Sequence, residues 1–360
     1  MNHRTPIRWI AGTSILTLGL ALAACGGTGQ ASSANGDATT CEGQTVNIGV
    51  VTSASDAPFF IADAKGYFKD AGVDVNFESF DSAAKMIAPL GSGALDVGGG
   101  APSAGFYNAV SRDVNIKIVA DKGTMAEGFA YMPLMVRKDL VDNGTVKSVA
   151  DLRGLSVAEP AQSTATASTL STMLAAEDLT YDDVSHEYIG FGEHLAAFSN
   201  GGIDAALTTE PNATRLENEG VAVRFADPTV SYPDQQLAVV LYADRFSQNK
   251  ELGTCVMTAY LKGVRDYAAA MDEDGRMSGS KADEVVKIVT EATGVEEDLY
   301  RKIVLNYIHP DGKVNKESLQ KDLDFFTNQG ALEGAEVEVE SIIDDSFVKS
   351  AGTELEAPGS

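Results

Sequence analysis

The chain has 360 residues, enough for two ordinary domains with their own cores, which excludes a small scaffold held together by disulfides. Hydrophobic residues make up 44% and charged residues 22%, a composition typical of a folded globular protein. Lys and Arg number 27 against 52 Asp and Glu, and because the net charge of −25 repels a phosphate backbone, we expect no nucleic-acid partner.

The chain opens with the pattern of an export signal. Arg4 and Arg8 precede an apolar run over residues 9–22, and small residues follow it. The run is shorter than the roughly 20 residues that a membrane span needs. We therefore expect a signal peptide over residues 1–24, with a single spanning helix as the alternative.

The three cysteines point to two roles. The small residues directly before Cys25 are similar to the lipobox of bacterial lipoproteins, which implies a lipid on the Cys25 thiol and an extracytoplasmic protein held at the cell membrane. Residues 25–43, rich in Gly, Ser, Ala and Thr, would be a flexible tether. Disulfides persist outside the cytoplasm, so we expect a Cys41–Cys255 bond, with two buried free thiols as the alternative.

Strands and helices alternate from residue 44 onward, which predicts parallel βαβ units. Strands are expected at residues 45–51, 73–80, 95–98, 156–158, 185–189 and 203–207. Helices are expected from Pro58, after Ser82, at 164–177 and at 193–199, and later at 256–271, 281–293 and 319–329.

An internal repeat indicates two similar lobes. Residues 90–97 align with residues 198–205 at an offset of 108, and each copy is a helix end, a glycine and a short strand that opens with an aspartate. The alternative is that glycine-rich loops between helices and strands look alike in any α/β protein. Apolar runs at 131–137 and 237–242 would carry the chain between the lobes. The expected division is residues 44–136 plus 243–345 for lobe 1, 137–242 for lobe 2 and 346–360 for a disordered acidic tail.

Ligands bind beyond the carboxyl ends of the strands in open parallel sheets. The loops in question are residues 52–59, 98–103, 159–166, 190–194 and 208–211. None contains Lys or Arg, so a bound anion would rely on hydroxyls and on helix N-termini. The glycines at 98–100 would let the backbone approach a ligand, and Phe59, Phe106, Tyr107 and Phe191 would enclose an apolar body.

Enzymatic motifs are weak. Residues 101–105 are one residue short of the Gly-x-Ser-x-Gly elbow of hydrolases, and no His-Glu-x-x-His or Cys-His cluster occurs. The glycine run has neither the spacing of a dinucleotide fingerprint nor the Lys of a phosphate-binding loop. We therefore expect no catalytic residue, no metal site and no cofactor.

Residues 57–75 carry the most specific motif, Gly-Tyr-Phe followed by Gly-Val-Asp-Val. This segment resembles the opening signature of the nitrate/sulfonate/taurine-type extracellular solute-binding proteins, which include thiamine-precursor binders. Residues 90–96, 149–154 and 202–211 resemble further blocks of that family. The resemblance implies an α/β, two-lobed periplasmic-binding-protein fold of type II with two crossovers, each lobe a mostly parallel sheet flanked by helices.

The same resemblance implies a substrate-binding protein that delivers a small ligand to an ABC permease driven by its ATPase. We expect it to be a monomer anchored by the lipid on Cys25, and the loops without Lys or Arg, together with the nearby aromatic residues, favour a small organic anion as the ligand. The expected ligand is an alkyl or aryl sulfonate, taurine or an aromatic carboxylate. The alternatives are a binder of a thiamine-precursor pyrimidine and an exported enzyme on the same fold. The candidate loops, with positions carried over from the family, give these expected ligand contacts: Ser53, Ser55, Pro58, Phe59, Ala101, Ser103, Gln162, Ser163, Thr164, Thr166, Phe191 and Glu210. Glu210 would face a ligand amine or a neutral pyrimidine.

Overall fold

The computed structural model describes residues 41–334 and 336–356, so the expected signal peptide, Cys25 and most of the expected tether lie outside the described residues. The strands are β1 (Gln44–Val50), β2 (Val73–Ser79), β3 (Val97–Gly100), β4 (Lys117–Met125), β5 (Leu134–Arg137), β6 (Ser156–Glu159), β7 (Ser185–Tyr188), β8 (Ala205–Leu207), β9 (Ala222–Ala226) and β10 (Gln235–Tyr242).

The helices surround these strands. They are α1 (Ala57–Ala64), α2 (Tyr67–Asp70), α3 (Ile87–Ser92), α4 (Ala104–Val110), α5 (Lys138–Asp142), α6 (Ala165–Ala175), α7 (His194–Ser199), α8 (Asn212–Asn218), α9 (Asp244–Gln248), α10 (Lys250–Ala269), α11 (Ala282–Thr293), α12 (Glu297–Tyr300), α13 (Lys316–Asn328), α14 (Val339–Ile342) and α15 (Ser346–Glu356). In the described part of the chain, no helix is both long and apolar enough to cross a membrane.

The first sheet has the strand order β2-β1-β3-β10-β4. β1 pairs in parallel with β2 and β3, whereas β10 runs antiparallel between β3 and β4. All eight residues of β10 are buried, as expected for a strand with neighbours on both sides and helices on its faces. Val46 and Ile48 of β1 join Phe59 and Ile61 of α1 and Val264 of α10 in one hydrophobic core.

The second sheet repeats this arrangement with the order β7-β6-β8-β5-β9. β6 pairs in parallel with β7 and β8, and β5 runs antiparallel between β8 and β9. Each sheet therefore has four strands in one direction and one strand against them. The predicted pair of mostly parallel sheets flanked by helices is confirmed.

The chain crosses between the sheets twice, from β4 to β5 and from β9 to β10. By sheet membership, β5 belongs to the second sheet and β10 to the first. The expected boundaries had placed residues 134–136 in lobe 1 and residues 235–242 in lobe 2. The difference arises because each crossing strand is the antiparallel member of the sheet that it enters.

The C-terminal segment differs from the expected disordered tail. Residues 346–356 form α15, and only residues 357–360 of the predicted tail lie outside the described residues. Phe347 and Ala351 are one helical turn apart and fully buried. The ring of Phe347 lies 4.9 Å from that of Tyr242 and fills the space over Gly253 of α10. This apolar face packs α15 against the helices and strands of the first sheet, so the segment is ordered.

Cys41 and Cys255 are joined by a disulfide in the structure, across 214 residues of sequence. Cys41 precedes β1, and Cys255 lies in α10. The bond attaches the start of the first sheet to the helices that return to it after β10.

Candidate functional site

Two adjoining chambers lie beyond the carboxyl ends of the parallel strands. The inner chamber has a volume of about 80 Å³, and its walls include Ser53, Ser55, Ala101, Tyr131, Thr164 and Thr166. The outer chamber has a volume of about 940 Å³, and its walls include Thr52, Lys85, Gln162, Gly190, Pro211 and Arg215. Ser53, Pro160, Phe191 and Thr209 line both chambers, so loops of both sheets enclose one continuous cleft.

Seven of the twelve predicted contact residues lie on these walls. They are Ser53, Ser55, Ala101, Gln162, Thr164, Thr166 and Phe191. They come from loops in four regions of the chain, which supports the use of strand ends to locate the site.

The predicted aromatic contacts other than Phe191 belong to the core. Pro58 and Phe59 are buried in α1, and the ring of Phe59 lies 4.7 Å from that of Tyr260. Phe106 and Tyr107 are fully buried in α4, where their rings contact each other. Phe59, Phe106 and Tyr107 belong to the hydrophobic core around the first sheet and line neither chamber.

Ser103 and Ser163 connect the two sheets and do not line either chamber. The Oγ atom of Ser103 accepts a hydrogen bond from the backbone N–H of Phe106 at 3.3 Å and thereby caps α4. The carbonyl of Ser163 accepts the backbone N–H of Ala104 at 3.0 Å, and Ser103 forms an isolated bridge with Thr164. Both serines were predicted to contact the ligand. In the structure they connect the loop before α4 to the loop before α6.

Glu210 does not face the cleft, which corrects the expectation that it meets a ligand amine. Its carboxylate is fully buried and pairs with Arg224. It also accepts hydrogen bonds from the backbone N–H and the hydroxyl of Thr214, at 3.0 and 2.9 Å, and from the backbone N–H of Val304 at 3.1 Å. With these partners, the carboxylate holds α8, β9 and a C-terminal loop together.

The glycine run has a packing role. A Cβ atom on Gly98 would lie 2.9 Å from Leu90, one on Gly99 would lie 2.6 Å from Lys122, and one on Gly100 would lie 2.4 Å from Ala83. The space beside β3 is therefore filled by neighbouring side chains, and only Gly100 lines the inner chamber. The prediction that these glycines admit a ligand to the backbone is wrong for Gly98 and Gly99.

Hydroxyl groups dominate the polar wall of the inner chamber. The Oγ1 atoms of Thr164 and Thr166 are 2.5 Å apart, and the Oγ atoms of Ser53 and Ser55 are 2.8 Å apart. Thr164 is the N-cap residue of α6, whose first turn carries the partial positive charge of a helix N-terminus. The chamber thus offers several hydrogen-bond donors to one small group.

Tyr131 adds a further hydroxyl that the sequence did not single out. It is buried, packs in the core of the second sheet and lines the inner chamber. Burial, followed by the nearby carboxylates of Asp121 and Asp56, raises the pKa of Tyr131 well above its ordinary value. Its hydroxyl therefore keeps its proton and remains available as a donor.

The outer chamber contains cations that the predicted loops lack. Lys85 lies in the turn Ala83–Met86 and pairs with Asp81, and Arg215 lies in α8, one turn after Pro211. Both were missed because the sequence search stopped at the loops, although residue 215 follows residue 211 at helical spacing. Within residues 41–334 and 336–356, no group of three or more His, Cys, Asp or Glu side chains is placed to hold a metal ion.

Comparison with known proteins identifies related chains. The model of the family described as NMT1/THI5 like matches residues 53–273. Over 182 residues, the chain is 29% identical to the taurine-binding periplasmic protein of Escherichia coli K12, covering 50% of this chain and 53% of that protein. Over 235 residues, it is 24% identical to the riboflavin-binding protein RibY of Chloroflexus aurantiacus, covering 64% of this chain and 63% of that protein. The chain thus spans about half to two thirds of the length of these relatives.

Solved structures share the fold. The alkanesulfonate-binding protein SsuA of Xanthomonas axonopodis pv. citri, bound to MOPS, superposes with a TM-score of 0.66 at 16% identity, over 84% of this chain and 99% of that one. The desulfurization enzyme DSZB superposes with a TM-score of 0.59 at 13% identity, over 87% of this chain and 100% of that one. At these identities the likeness shows the fold alone, which is that of the periplasmic binding proteins.

Proposed function

The chain belongs to the NMT1/THI5-like family, and on that premise we propose that it is the substrate-binding protein of an ABC importer for a small organic anion. The single observation that carries the proposal is the inner chamber, where hydroxyls from both sheets face one small space. A ligand that contacts both sheets at once stabilises the arrangement in which the lobes enclose it. A binding protein needs such a site and no catalytic group.

The proposed ligand is an alkyl or aryl sulfonate, taurine or an aromatic carboxylate. Oxygen atoms of a sulfonate or carboxylate accept hydrogen bonds from the hydroxyls of Ser53, Ser55, Thr164 and Thr166, near the N-terminus of α6. A volume of about 80 Å³ suits the acidic head group, and the rest of the ligand would extend into the outer chamber of about 940 Å³. The taurine-binding relative is consistent with this assignment.

A flat heterocycle is the second candidate, either a thiamine-precursor pyrimidine or a larger ring. Phe191 lies at the junction of the two chambers, and Phe80 and Tyr188 line the outer chamber. Aromatic walls suit a planar ring. The riboflavin-binding relative gives this candidate support.

A thermal-shift screen of the protein starting at Cys25 tests the proposal. A ligand at 100 times its dissociation constant adds about 2.7 kcal/mol to the free energy of unfolding. We expect alkanesulfonates, taurine or aromatic carboxylates to raise the melting temperature, and the variant Thr164→Val/Thr166→Val to lose that rise. Lys287→Gln, on the exposed face of α11, is the control that keeps it. If only pyrimidines or riboflavin raise the melting temperature, the organic-anion proposal is wrong.

The same samples distinguish a binding protein from an enzyme on this fold. A binding protein releases its ligand unchanged and binds it in a 1:1 ratio, whereas an enzyme converts it. We expect mass spectrometry of the released ligand to show no conversion after prolonged incubation. Multiple turnovers would favour the exported enzyme.

We further propose that the protein is anchored to the cell membrane by lipid on Cys25 and acts there as a monomer that delivers its ligand to a permease and its ATPase. A membrane-held binding protein keeps the ligand close to the permease. Cys25→Ser is expected to move the protein from the membrane fraction to the soluble fraction. Tight membrane association of that variant would contradict the lipid anchor.

A further inference from the structure

A buried lysine lies directly behind the hydroxyls of the inner chamber. The side chain of Lys122, in the middle of β4, is fully buried. Its Nζ atom lies 2.6 Å from the Oγ atom of Ser55 and 2.8 Å from an oxygen of Asp56. Lys122 does not line either chamber, whereas Ser55 lines the inner one. The ammonium group therefore reaches the chamber only through Ser55.

The fold makes room for this lysine. The missing side chain of Gly99 leaves the space that the aliphatic part of Lys122 occupies, since a Cβ there would lie 2.6 Å from its Cε atom. Asp56 balances the charge, and its other oxygen accepts the backbone N–H of Ser53 at 2.9 Å. The charge pair and the hydroxyl pair thus form one unit under the chamber floor.

The direction of the hydrogen bonds follows from the chemistry of the groups. An ammonium group only donates, so Ser55 must accept at Oγ and direct its own hydrogen elsewhere. The remaining partners are the Oγ atom of Ser53, at 2.8 Å, and the chamber. If Ser55 donates to Ser53, the hydrogen of Ser53 turns to the chamber or to Asp56, which is 3.5 Å away, at the limit of a hydrogen bond. An acceptor in the chamber therefore completes this chain of donors.

We infer that Lys122 is a positioning residue for ligand selection. It donates a hydrogen bond to the Oγ atom of Ser55, so Ser55 must direct its own hydrogen away from Lys122. The Ser53–Ser55 pair then presents a hydrogen-bond donor to the chamber. Such a wall binds an anionic oxygen and disfavours a ligand group that itself donates, such as an amide or a sulfonamide N–H. The inference rests on the proposed function, because it names the feature of the organic anion that this site selects.

Isothermal titration with matched pairs of probes tests the inference. The pairs are butanesulfonate with butanesulfonamide and benzoate with benzamide, which differ in charge and in the N–H donor but little in size. The quantity compared is the ratio of the two dissociation constants, neutral probe over acid. For the pair that binds, we expect this ratio to be at least about ten in the wild-type protein. In Asp56→Asn/Lys122→Met, which removes both buried charges together, this ratio should fall at least tenfold, while affinity for the neutral probe changes less than threefold.

Three further variants separate ligand selection from a loss of structure. Ser55→Ala should lower the ratio without disturbing the charge pair, and Gly99→Ala should do so by displacing the lysine. Gly352→Ala, in α15, is the control: a Cβ there meets no atom within 4 Å, Gly352 lines neither chamber, and the variant should keep the wild-type ratio. A merely structural role of Lys122 would weaken both members of a pair equally.

The outcomes separate this inference from the proposed function. If the wild-type protein prefers the acid and the folded Asp56→Asn/Lys122→Met and Ser55→Ala variants keep the same ratio, the role of Lys122 is overturned and the organic-anion ligand stands. If the wild-type protein binds the neutral members and not the acids, the organic-anion ligand is wrong and the inference falls with it.

Discussion

Asp96 and Asp204 make the same contacts in the two sheets. The carboxylate of Asp96 accepts the backbone N–H of Asn47 at 2.9 Å, and that of Asp204 accepts the backbone N–H of Ser156 at 3.0 Å. Each aspartate also donates its own backbone N–H to the carbonyl of the same partner. These are the aspartates of the internal repeat, so the repeated sequence corresponds to a repeated way of fixing a short strand to its neighbour.

Removing either carboxylate should destabilise the protein. Asp96→Ala and Asp204→Ala leave a backbone N–H without its charged acceptor, which costs about 1–3 kcal/mol. Urea unfolding measures the loss. Asp298→Ala, on the exposed turn of α12, is the control and should change stability by less than about 0.5 kcal/mol. Equal effects at all three positions would contradict the role of the repeat.

Glu210 is expected to matter for stability and not for ligand affinity. Glu210→Gln breaks a buried ion pair with Arg224 and weakens the bonds to Thr214 and Val304, so the free energy of unfolding should fall by about 3–5 kcal/mol. The dissociation constant of the folded variant should stay within about twofold of the wild-type value. A large loss of affinity with unchanged stability would restore the contact role that the sequence suggested.

Arg215 is expected to contribute to anion affinity from the outer chamber. Arg215→Gln should weaken binding of an anionic ligand by about 1 kcal/mol, or roughly fivefold, because the guanidinium lies on the chamber wall but in contact with solvent. The difference should shrink in high salt, since exposed charges are screened. Lys287→Gln serves as the control for a general loss of positive charge. Equal affinity of Arg215→Gln and wild type at low salt would exclude this contribution.

Asp322 should make stability depend on pH. It is buried on α13 beside Tyr232, Gln235, Ser168 and Lys321, and burial raises its pKa to about 7. The pKa in the unfolded chain is about 3.9. The folded protein therefore binds the extra proton between about pH 4 and pH 7, and the contribution of this group to stability is lost as the pH rises through that window.

Comparison with Asp322→Asn isolates this effect. Between pH 4 and pH 8, the wild-type free energy of unfolding should fall by about 2–4 kcal/mol relative to that of the variant. Asp121, whose pKa burial raises to about 6, is present in both proteins and cancels in the difference. Parallel pH profiles of the two proteins would contradict the raised pKa of Asp322.

The Cys41–Cys255 bond should be present in exported protein and should stabilise it. The bond closes a loop of more than 200 residues, and its removal in Cys41→Ser/Cys255→Ser is expected to cost about 3–5 kcal/mol. Intact mass before and after reduction checks for the bond, and thermal unfolding measures its effect. Ligand affinity should not change, because neither cysteine lines a chamber. Free thiols on both Cys41 and Cys255 in the untreated protein would show that the bond does not form.

The sequence determined the features that repeat over short distances. A short apolar run predicted β1, alternating apolar residues predicted β2, helical spacing predicted α6 and α11, and the repeat containing Asp96 and Asp204 predicted two lobes. Strand ends located the cleft, because the topology of a parallel sheet places them on one edge. These patterns involve residues that are close in sequence, so they can be recognised without knowing which residues contact each other in the fold.

Only the tertiary structure decided which buried charges meet. β4 was not predicted, since Asp121 and Lys122 interrupt its apolar pattern, and the partners of Lys122 lie in a loop more than 60 residues earlier. Glu210 was misassigned for the same reason, because Arg224 and Val304 satisfy it from other elements. A buried charge is stable only when its partner is in place, and pairs that are distant in sequence form when the chain folds.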